Sequence, residues 1–201
     1  MWSHMSRGYR QLRREEAAEE TRRRIVQATF DLHGEQGIAA TSMKQIAARA
    51  GVSVGSVYHH FPTYGDAVTA CGTTALGRHP PPTAEIFAGV ADRAERVRRM
   101  ALAMFELFAA IRAFASVRAD QEKVPALVPF VAQEHEARLA LARGAVGDTD
   151  ADLAPTLAAL MDVGVYEAMR AAGLGPAQAA QQVAEIANAW LQSRQAVQEE
   201  V

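Results

Sequence analysis

The sequence predicts an all-α protein with an N-terminal three-helix domain and a C-terminal helical bundle. Apolar residues recur three and four positions apart through most of the 201-residue chain, as they do on one face of a helix. No convincing strand pattern and no internal repeat interrupts this periodicity. Glycine and proline sit in a few clusters, and the clearest break runs from Gly77 to Thr83, with three consecutive prolines.

The first helix is expected over about residues 17–36, because Gly34 and Gly37 mark its end. Its apolar contacts come from Ile25, Ala28, Phe30, Leu32 and His33. Upstream, residues 5–16 are expected to form a flexible basic arm or a frayed extension of this helix. The opening five residues resemble an expression-tag remnant, so no prediction of the fold is based on them. The predicted divisions of the chain are residues 1–16, 17–68 and 69–201.

Two short helices, over about residues 42–50 and 54–61, flank the turn Gly51-Val52-Ser53. Four apolar residues share one face of the first helix, namely Met43, Ile46, Ala47 and Ala50. Gly51 can adopt the left-handed conformation that ends a helix, and Ser53 can cap the next one. This is the helix-turn-helix layout, in which the second helix enters the major groove of DNA.

The stretch T-S-M-x-x-I-A-x-x-A-G-V-S-x-G-S-V-Y-x-H-F, residues 41–61, resembles the DNA-binding signature of the TetR family of transcriptional regulators. Residues 21–42 resemble the family's first helix, so the likeness covers about residues 21–68. The resemblance implies a sequence-specific regulator, a ligand-released repressor that binds a pseudo-palindromic operator as a homodimer.

The resemblance places DNA contacts at both ends of the second helix of the pair. The implied residues are Ser53, Val54, Gly55, Ser56, Tyr58, His59 and His60, with Thr41 or Ser42 reaching phosphate from the preceding helix. Hydroxyls and capped helix N-termini suit phosphate oxygens, and an apolar side chain suits a thymine methyl. The alternative for the aromatic residues is a surface cluster that seals the small domain.

Tyr64 departs from the family pattern, which usually has a lysine three residues after Phe61. A tyrosine hydroxyl can hydrogen-bond phosphate but cannot release a counterion as lysine does. We therefore expect weaker or less salt-sensitive DNA binding, or compensation from arginines near the N-terminus. The departure leaves open an alternative: a helical small-molecule-binding or interaction protein that kept the fold and lost DNA binding.

The distribution of charge differs between residues 1–68 and residues 69–201, which supports different functions for the two parts. The net charge is −2, but residues 1–68 hold nine Lys/Arg against seven Asp/Glu, and residues 69–201 hold twelve against sixteen. Seven arginines lie between positions 7 and 24, as in a phosphate-binding arm ahead of an acidic regulatory domain. Four glutamates among them allow the alternative of a locally neutralised, solvated tail.

Helical patterns continue to the C-terminus. A fourth helix is expected from Thr63 to about Leu76, and later apolar stripes predict helices around residues 97–117, 127–144, 152–172 and 176–197. In the TetR family this region encloses a small-molecule pocket. The residues that we expect to line it are Met104, Phe105, Phe108, Phe114, Phe130, His135, Met161 and Tyr166. The alternative is ordinary core packing, and the scarcity of polar groups favours a lipophilic effector.

The last two predicted helices carry wide apolar faces with small residues, which let helices approach closely. By resemblance, this pair meets its two-fold mate as a four-helix bundle. The residues assigned to the dimer interface are Leu157, Met161, Gly164, Ala168, Ile186, Ala187 and Trp190. The alternative is packing within one subunit.

Enzymatic activity has little support from the sequence. The segment from Gly51 to Gly55 matches G-x-S-x-G, but a nucleophile elbow needs a strand before it and a helical pattern stands there instead. The single cysteine, Cys71, cannot form an internal disulfide, and no Cys/His spacing indicates a metal site. We expect no cofactor, no membrane span and a cytoplasmic location.

Overall fold

The computed structural model describes residues 3–199, which form ten α-helices and no β-strand, so the all-α prediction is confirmed. The helices are α1 (Ser3–Gln36), α2 (Met43–Ala50), α3 (Val54–His60), α4 (Tyr64–Arg78), α5 (Arg93–Ala110), α6 (Phe114–Asp120), α7 (Val128–Val146), α8 (Ala154–Leu160), α9 (Val163–Ala171) and α10 (Pro176–Glu199). The expected tag remnant includes Met1 and Trp2, which lie outside the described residues.

The N-terminal helices pack around one apolar core. Its buried residues are Ile25, Val26, Ala28, Leu32, Met43, Ile46, Ala47, Ala50, Val57, Phe61 and Ala67. All four residues of the predicted apolar face of α2 belong to this core. The core of residues from α1–α4 fixes the angle between α2 and α3, so their outer surfaces are held in a set orientation.

Helix α1 begins earlier than the sequence indicated. Residues 5–16, expected to be a flexible arm or a frayed extension, belong to the 34-residue helix α1. Residues 8–20 are exposed, so this part of α1 projects beyond the core without burying a face. A polar helix of this kind has no apolar pattern, which explains why periodicity could not mark its start.

The C-terminal helices surround α5, which packs against α7 and α10. The core there includes Val97, Met100, Met104, Phe105, Phe108, Leu157, Met161, Tyr166, Ala187 and Leu191. The predictions of one helix around residues 97–117 and of one over 152–172 are wrong, because the chain breaks between α5 and α6 and again between α8 and α9. Asp162 has extended backbone angles there, and its carboxylate accepts the Gly164 N–H at 2.8 Å, which caps α9.

The two parts meet along α4 and the segment between α1 and α2. In the segment between α1 and α2, the Ile38 side chain packs against Val68, Val124 and Leu127. Asp120, the last residue of α6, accepts hydrogen bonds from the Ile38 and Ala39 N–H groups at 3.1 and 2.9 Å. Ile38 is therefore an interdomain residue.

No single helix among residues 3–199 is long and apolar enough to cross a membrane. Helices α5 and α6 pass that test of length and composition only as a pair, which is bent by 81°.

Candidate DNA-binding surface and effector cavity

The turn between α2 and α3 has the geometry that the sequence predicts. Gly51 has φ 65° and ψ 40°, in the left-handed region, and its N–H contacts the Ala47 and Ala48 carbonyls. The Arg24 guanidinium, from α1, donates to the Gly51 carbonyl at 3.1 Å and also to the Ala50 carbonyl. Arg24 of α1 therefore holds the turn between α2 and α3 in place. The sequence did not indicate this role, because Arg24 lies in an arginine-rich stretch.

Both short helices are capped by serine. Ser42 forms a capping box with Gln45, and the Ser53 hydroxyl accepts the Ser56 N–H at 3.1 Å. Both serines are exposed, so each hydroxyl can also accept or donate outward. The predicted cap at Ser53 is thus present, and Ser42 is the residue that caps α2.

Helix α3 turns its large side chains in two directions. Val57 is fully buried, whereas Val54 is 40% exposed and Tyr58 is 50% exposed. His59 is exposed and its ring lies 5.4 Å from that of His60. Gly55 is exposed as well, so the outer face of α3 offers hydroxyl, aromatic and imidazole groups beside an open backbone.

Two residues of the predicted DNA-contact set face inward, and we correct their assignment. Thr41 is buried, and its hydroxyl donates to the Gly37 carbonyl at 2.9 Å. Tyr64 is half-buried, and its hydroxyl donates to the Ile38 carbonyl at 2.5 Å. Burial raises the pKa of the Tyr64 phenol well above its ordinary value. Neither side chain is directed at a phosphate.

A cavity of about 320 Å³ lies between α1 and α4 on one side and α5, α6 and α7 on the other. Three of the predicted lining residues do line it, namely Met104, Phe114 and Phe130. Lining residues that the sequence did not indicate include Phe30, His33, Ile38, Cys71, Gly72, Ile111, Val117, Leu127, Glu134 and Arg138. The cavity therefore joins the two parts of the chain instead of lying within the C-terminal bundle.

The other predicted lining residues lie elsewhere. Four of them are core residues, at most 3% exposed: Phe105, Phe108, Met161 and Tyr166. The three aromatic rings among them pack on one another, with 5.3 Å between the centroids of Phe105 and Tyr166. His135 is exposed, and it lines a separate shallow depression beside Arg118. The apolar stripe of α5 is wide enough to serve core and cavity together, so spacing alone could not divide them.

Two lining residues of the cavity, His33 and Cys71, belong to a hydrogen-bonded cluster with Tyr64. The Tyr64 hydroxyl gives its proton to Ile38, so the contact of 3.0 Å with His33 Nε2 requires that nitrogen to be the donor. His33 Nδ1 is then free to accept from the Cys71 thiol at 3.8 Å. Burial lowers the pKa of His33 to about 4 and raises the pKa of Cys71 to about 12. Both groups are neutral at pH 7.

Arg138, which is 3% exposed, also lines the cavity. Its guanidinium pairs with Glu134 at 2.7 Å and with Asp162 at 3.2 Å, and it also donates to the Ala158 carbonyl. The charge of Arg138 is therefore compensated within the protein. No buried side-chain polar atom among the described residues lacks a hydrogen-bond partner.

The predicted dimer residues also divide in two. Leu157, Met161 and Ala187 are fully buried within the subunit, which removes them from an interface between subunits. Gly164 and Ala168 are exposed on α9, and Ile186 is 60% exposed on α10. Trp190 is partly buried against the core. The exposed part of the predicted set thus consists of Gly164 and Ala168 on α9 and Ile186 on α10.

Ser53 has none of the surroundings of a hydrolase nucleophile. It follows a helix and its turn where an elbow needs a strand. Among the residues that the structure describes, no group of three or more His, Cys, Asp or Glu side chains is placed to hold a metal ion.

Comparison with known proteins places the helix-turn-helix in a family. Residues 25–63 match the bacterial regulatory proteins of the tetR family. Rv2912c, an uncharacterised HTH-type transcriptional regulator of Mycobacterium tuberculosis, is 45% identical over 60 residues, which are 30% of this chain and 31% of the relative. Rv3405c, an HTH-type transcriptional repressor of the same organism, is 42% identical over 89 residues, 42% of this chain and 47% of the repressor. The chain thus matches less than half the length of either relative.

Solved structures extend the likeness to the whole fold. A transcriptional regulator from Rhodococcus sp. Rha1, RHA1_ro04179, is similar with a TM-score of 0.65 and 25% identity, over 83% of this chain and 92% of that one. The sequence match identifies the helix-turn-helix, and the structural match includes the helices that follow it. Residues 25–63 therefore carry the helix-turn-helix of the TetR family, and the helices that follow share the fold of the solved regulator.

Proposed function

We propose that this protein is a transcriptional repressor that binds a double-stranded DNA operator through α3. The observation that carries the proposal is the outer face of α3, where Val54, Tyr58 and His59 are exposed beside two serine caps. Hydroxyls and helix N-termini suit phosphate oxygens, while Val54 suits a thymine methyl. Ser42, Ser53, Gly55, Ser56 and His60 complete the proposed contact set. The cytoplasm is the proposed location.

We further propose a homodimer joined through α9 and α10. The exposed Gly164, Ala168 and Ile186 support this proposal, because small residues let helices from two subunits approach closely. A symmetric dimer would place two copies of α3 in successive major grooves, and two half-sites give a short helix enough affinity. The operator expected from this arrangement is a pseudo-palindrome.

The cavity between the two parts supports a small lipophilic effector. Its walls are largely apolar, and the lining residues His33, Cys71 and Arg138 are already paired within the protein. A neutral, apolar molecule would lose little by leaving water, whereas a charged one would find no free partner. Release of DNA then requires that the effector bind the non-binding conformation more tightly than the DNA-bound one.

Selection of the purified chain on a random-sequence duplex library, read by sequencing, tests the proposal. An enriched inverted repeat, with half-sites about one helical turn apart, is the expected result. A variant with Tyr58→Ala and His59→Ala, both on the exposed face of α3, serves as the matched negative control. Absence of enrichment at low salt would favour the alternative, a helical small-molecule-binding or interaction protein without DNA binding.

A further inference from the structure

Two side chains from distant parts of the fold hold the same short piece of backbone. The Tyr64 hydroxyl, at the start of α4, donates to the Ile38 carbonyl at 2.5 Å. The Asp120 carboxylate, at the end of α6, accepts the N–H groups of Ile38 and Ala39 at 3.1 and 2.9 Å. We call this set, made of Tyr64, Asp120 and the Ile38–Ala39 backbone, the Ile38 clamp.

The Ile38 clamp borders the cavity from several directions. The Ile38 side chain lines the cavity, and so does His33, whose Nε2 contacts the Tyr64 hydroxyl at 3.0 Å. Phe114 and Val117 line the cavity from α6, the same helix that ends in Asp120. A molecule that fills the cavity therefore presses on the elements that supply both hydrogen-bonding side chains of the clamp.

Helix α6 packs closely against the backbone that the clamp holds. Gly37 has φ 90°, and a Cβ added there would lie 3.3 Å from Ser116 Oγ and 3.7 Å from Asp120 Oδ2. A shift of α6 must consequently carry the Gly37–Ala39 segment with it or break its hydrogen bonds. This segment leads within a few residues to Ser42, the cap of α2, and so to the orientation of α2 and α3.

We propose that the Ile38 clamp couples occupancy of the cavity to the orientation of α2 and α3, with Tyr64 and Asp120 as its positioning residues. The regulatory meaning of this coupling rests on the proposed function, but the mechanical link does not. It also accounts for the tyrosine at position 64, which holds the backbone of Ile38 instead of a phosphate.

Amide hydrogen exchange, followed by NMR in the full chain without DNA, tests the mechanical link. Tyr64→Phe removes the hydrogen bond to the Ile38 carbonyl and leaves the bonds from Asp120 to the Ile38 and Ala39 amides in place. Because Tyr64 and Asp120 hold the same backbone segment, exchange of these two amides should still become about tenfold faster. Asp120→Ala should speed exchange more and Asp120→Asn less, since asparagine keeps a neutral acceptor. Tyr9→Phe, at an exposed tyrosine of α1, is the matched control.

Wild-type exchange at both amides in Tyr64→Phe would overturn the proposal. Asp120→Asn keeps the test decisive if Asp120→Ala fails to fold. The neutral fluorophore N-phenyl-1-naphthylamine supplies the second arm, because it is apolar and needs no charged partner. Its binding should speed exchange of the same two amides in the wild-type chain, and unchanged exchange with bound fluorophore, or no binding at all, would count against the clamp as a coupling element.

The last arm uses the operator duplex obtained by selection. Fluorophore binding should weaken operator affinity about tenfold in the wild-type chain, within the usual range of coupling between sites. In Tyr64→Phe and Asp120→Asn this ratio should fall to less than about twofold, while Glu122→Gln, a nearby exposed control, should keep it. Full coupling in both clamp variants would overturn the proposal. If no duplex is enriched, the proposed function fails. The hydrogen-exchange measurements need no DNA, so they still test whether the clamp links the cavity to the Ile38–Ala39 backbone.

Discussion

The helix-turn-helix surface and the cavity wall satisfy their polar groups in opposite ways. On the helix-turn-helix surface, the caps join residues three apart, Ser42 with Gln45 and Ser53 with Ser56. In the cavity wall, His33 contacts Tyr64 across 31 positions, and Asp120 reaches Ile38 across 82. Local hydrogen bonds leave the outer face of α3 available to a partner, whereas distant ones tie the two parts of the chain together.

This difference predicts that substitutions in the two regions affect different properties, the stability of the fold in one and DNA affinity in the other. Substitutions in the cavity wall break buried contacts between distant segments, so they should change the free energy of unfolding. Substitutions on the outer face of α3 remove exposed groups, so they should change DNA affinity while leaving the fold intact. The predictions below test this separation, beginning with the largest expected effect.

The buried ion pairs of Arg138 should be the most sensitive point of the cavity wall. Arg138→Met would leave Glu134 and Asp162, both partly buried, without this partner, and we expect a loss of about 3 kcal/mol in the free energy of unfolding. Arg49→Met, which breaks an exposed pair with Glu35, is the matched control and should change stability little. Urea unfolding measures both, and equal small losses would contradict the comparison.

His33 should make the stability of the cavity wall depend on pH. Its pKa is about 4 in the folded chain against 6.5 in the unfolded one, because burial disfavours the charged ring. Between these values the unfolded chain binds a proton that the folded chain does not, so stability is complete above pH 6.5 and falls as pH decreases towards 4.

Urea unfolding at pH 7 and pH 5 measures this dependence. We expect the wild-type chain to lose about 2 kcal/mol from this residue between the two pH values, and His33→Gln to lose correspondingly less. The difference between the two chains isolates His33 from carboxylates that titrate in the same range. Parallel losses in both chains would show that His33 is not the source.

Sequence could predict the helix-turn-helix because most determinants of that region are local, the contact of Arg24 with the turn being the exception. Gly51 ends α2, Ser53 caps α3, and the apolar face of α2 follows from spacing alone. The cavity wall depends instead on which face of α5 packs against which neighbouring helix. The wide apolar stripe of α5 does not indicate which of its residues face the cavity and which face the core. Met104 therefore lines the cavity while Phe105, beside it in sequence, packs in the core.

The same limit explains the misassigned polar residues. Tyr64 occupies a position that the family pattern associates with phosphate, but its hydroxyl is drawn inward by the Ile38 carbonyl, 26 positions away. Asp162 caps α9 in the middle of a stretch whose apolar spacing continues, so the break between α8 and α9 was missed. Partners supplied by tertiary packing decide both cases, and no short motif records them.

Gly72 offers a way to close the cavity from its wall. Phe130 packs directly on this glycine, and a Cβ there would lie 2.7 Å from the Phe130 ring. Gly72→Ala must therefore move that ring, and we expect binding of N-phenyl-1-naphthylamine to weaken about tenfold. Gly77→Ala, on the same helix with open space around it, is the matched control. Equal fluorophore affinity in both variants would show that Phe130 does not shape the site.

The smallest expected effects lie on the outer face of α3, where single exposed groups are removed. Tyr58→Phe and His60→Ala should each weaken operator binding about fivefold, the size of one hydrogen bond, with melting temperature and oligomeric state unchanged. Fluorescence anisotropy with the selected operator measures affinity, and sedimentation measures assembly. His135→Ala removes another accessible imidazole far from α3 and should bind as the wild-type chain does. A loss of stability in Tyr58→Phe would mean that this surface also supports the fold, and unchanged affinity in both α3 variants would remove Tyr58 and His60 from the proposed contacts.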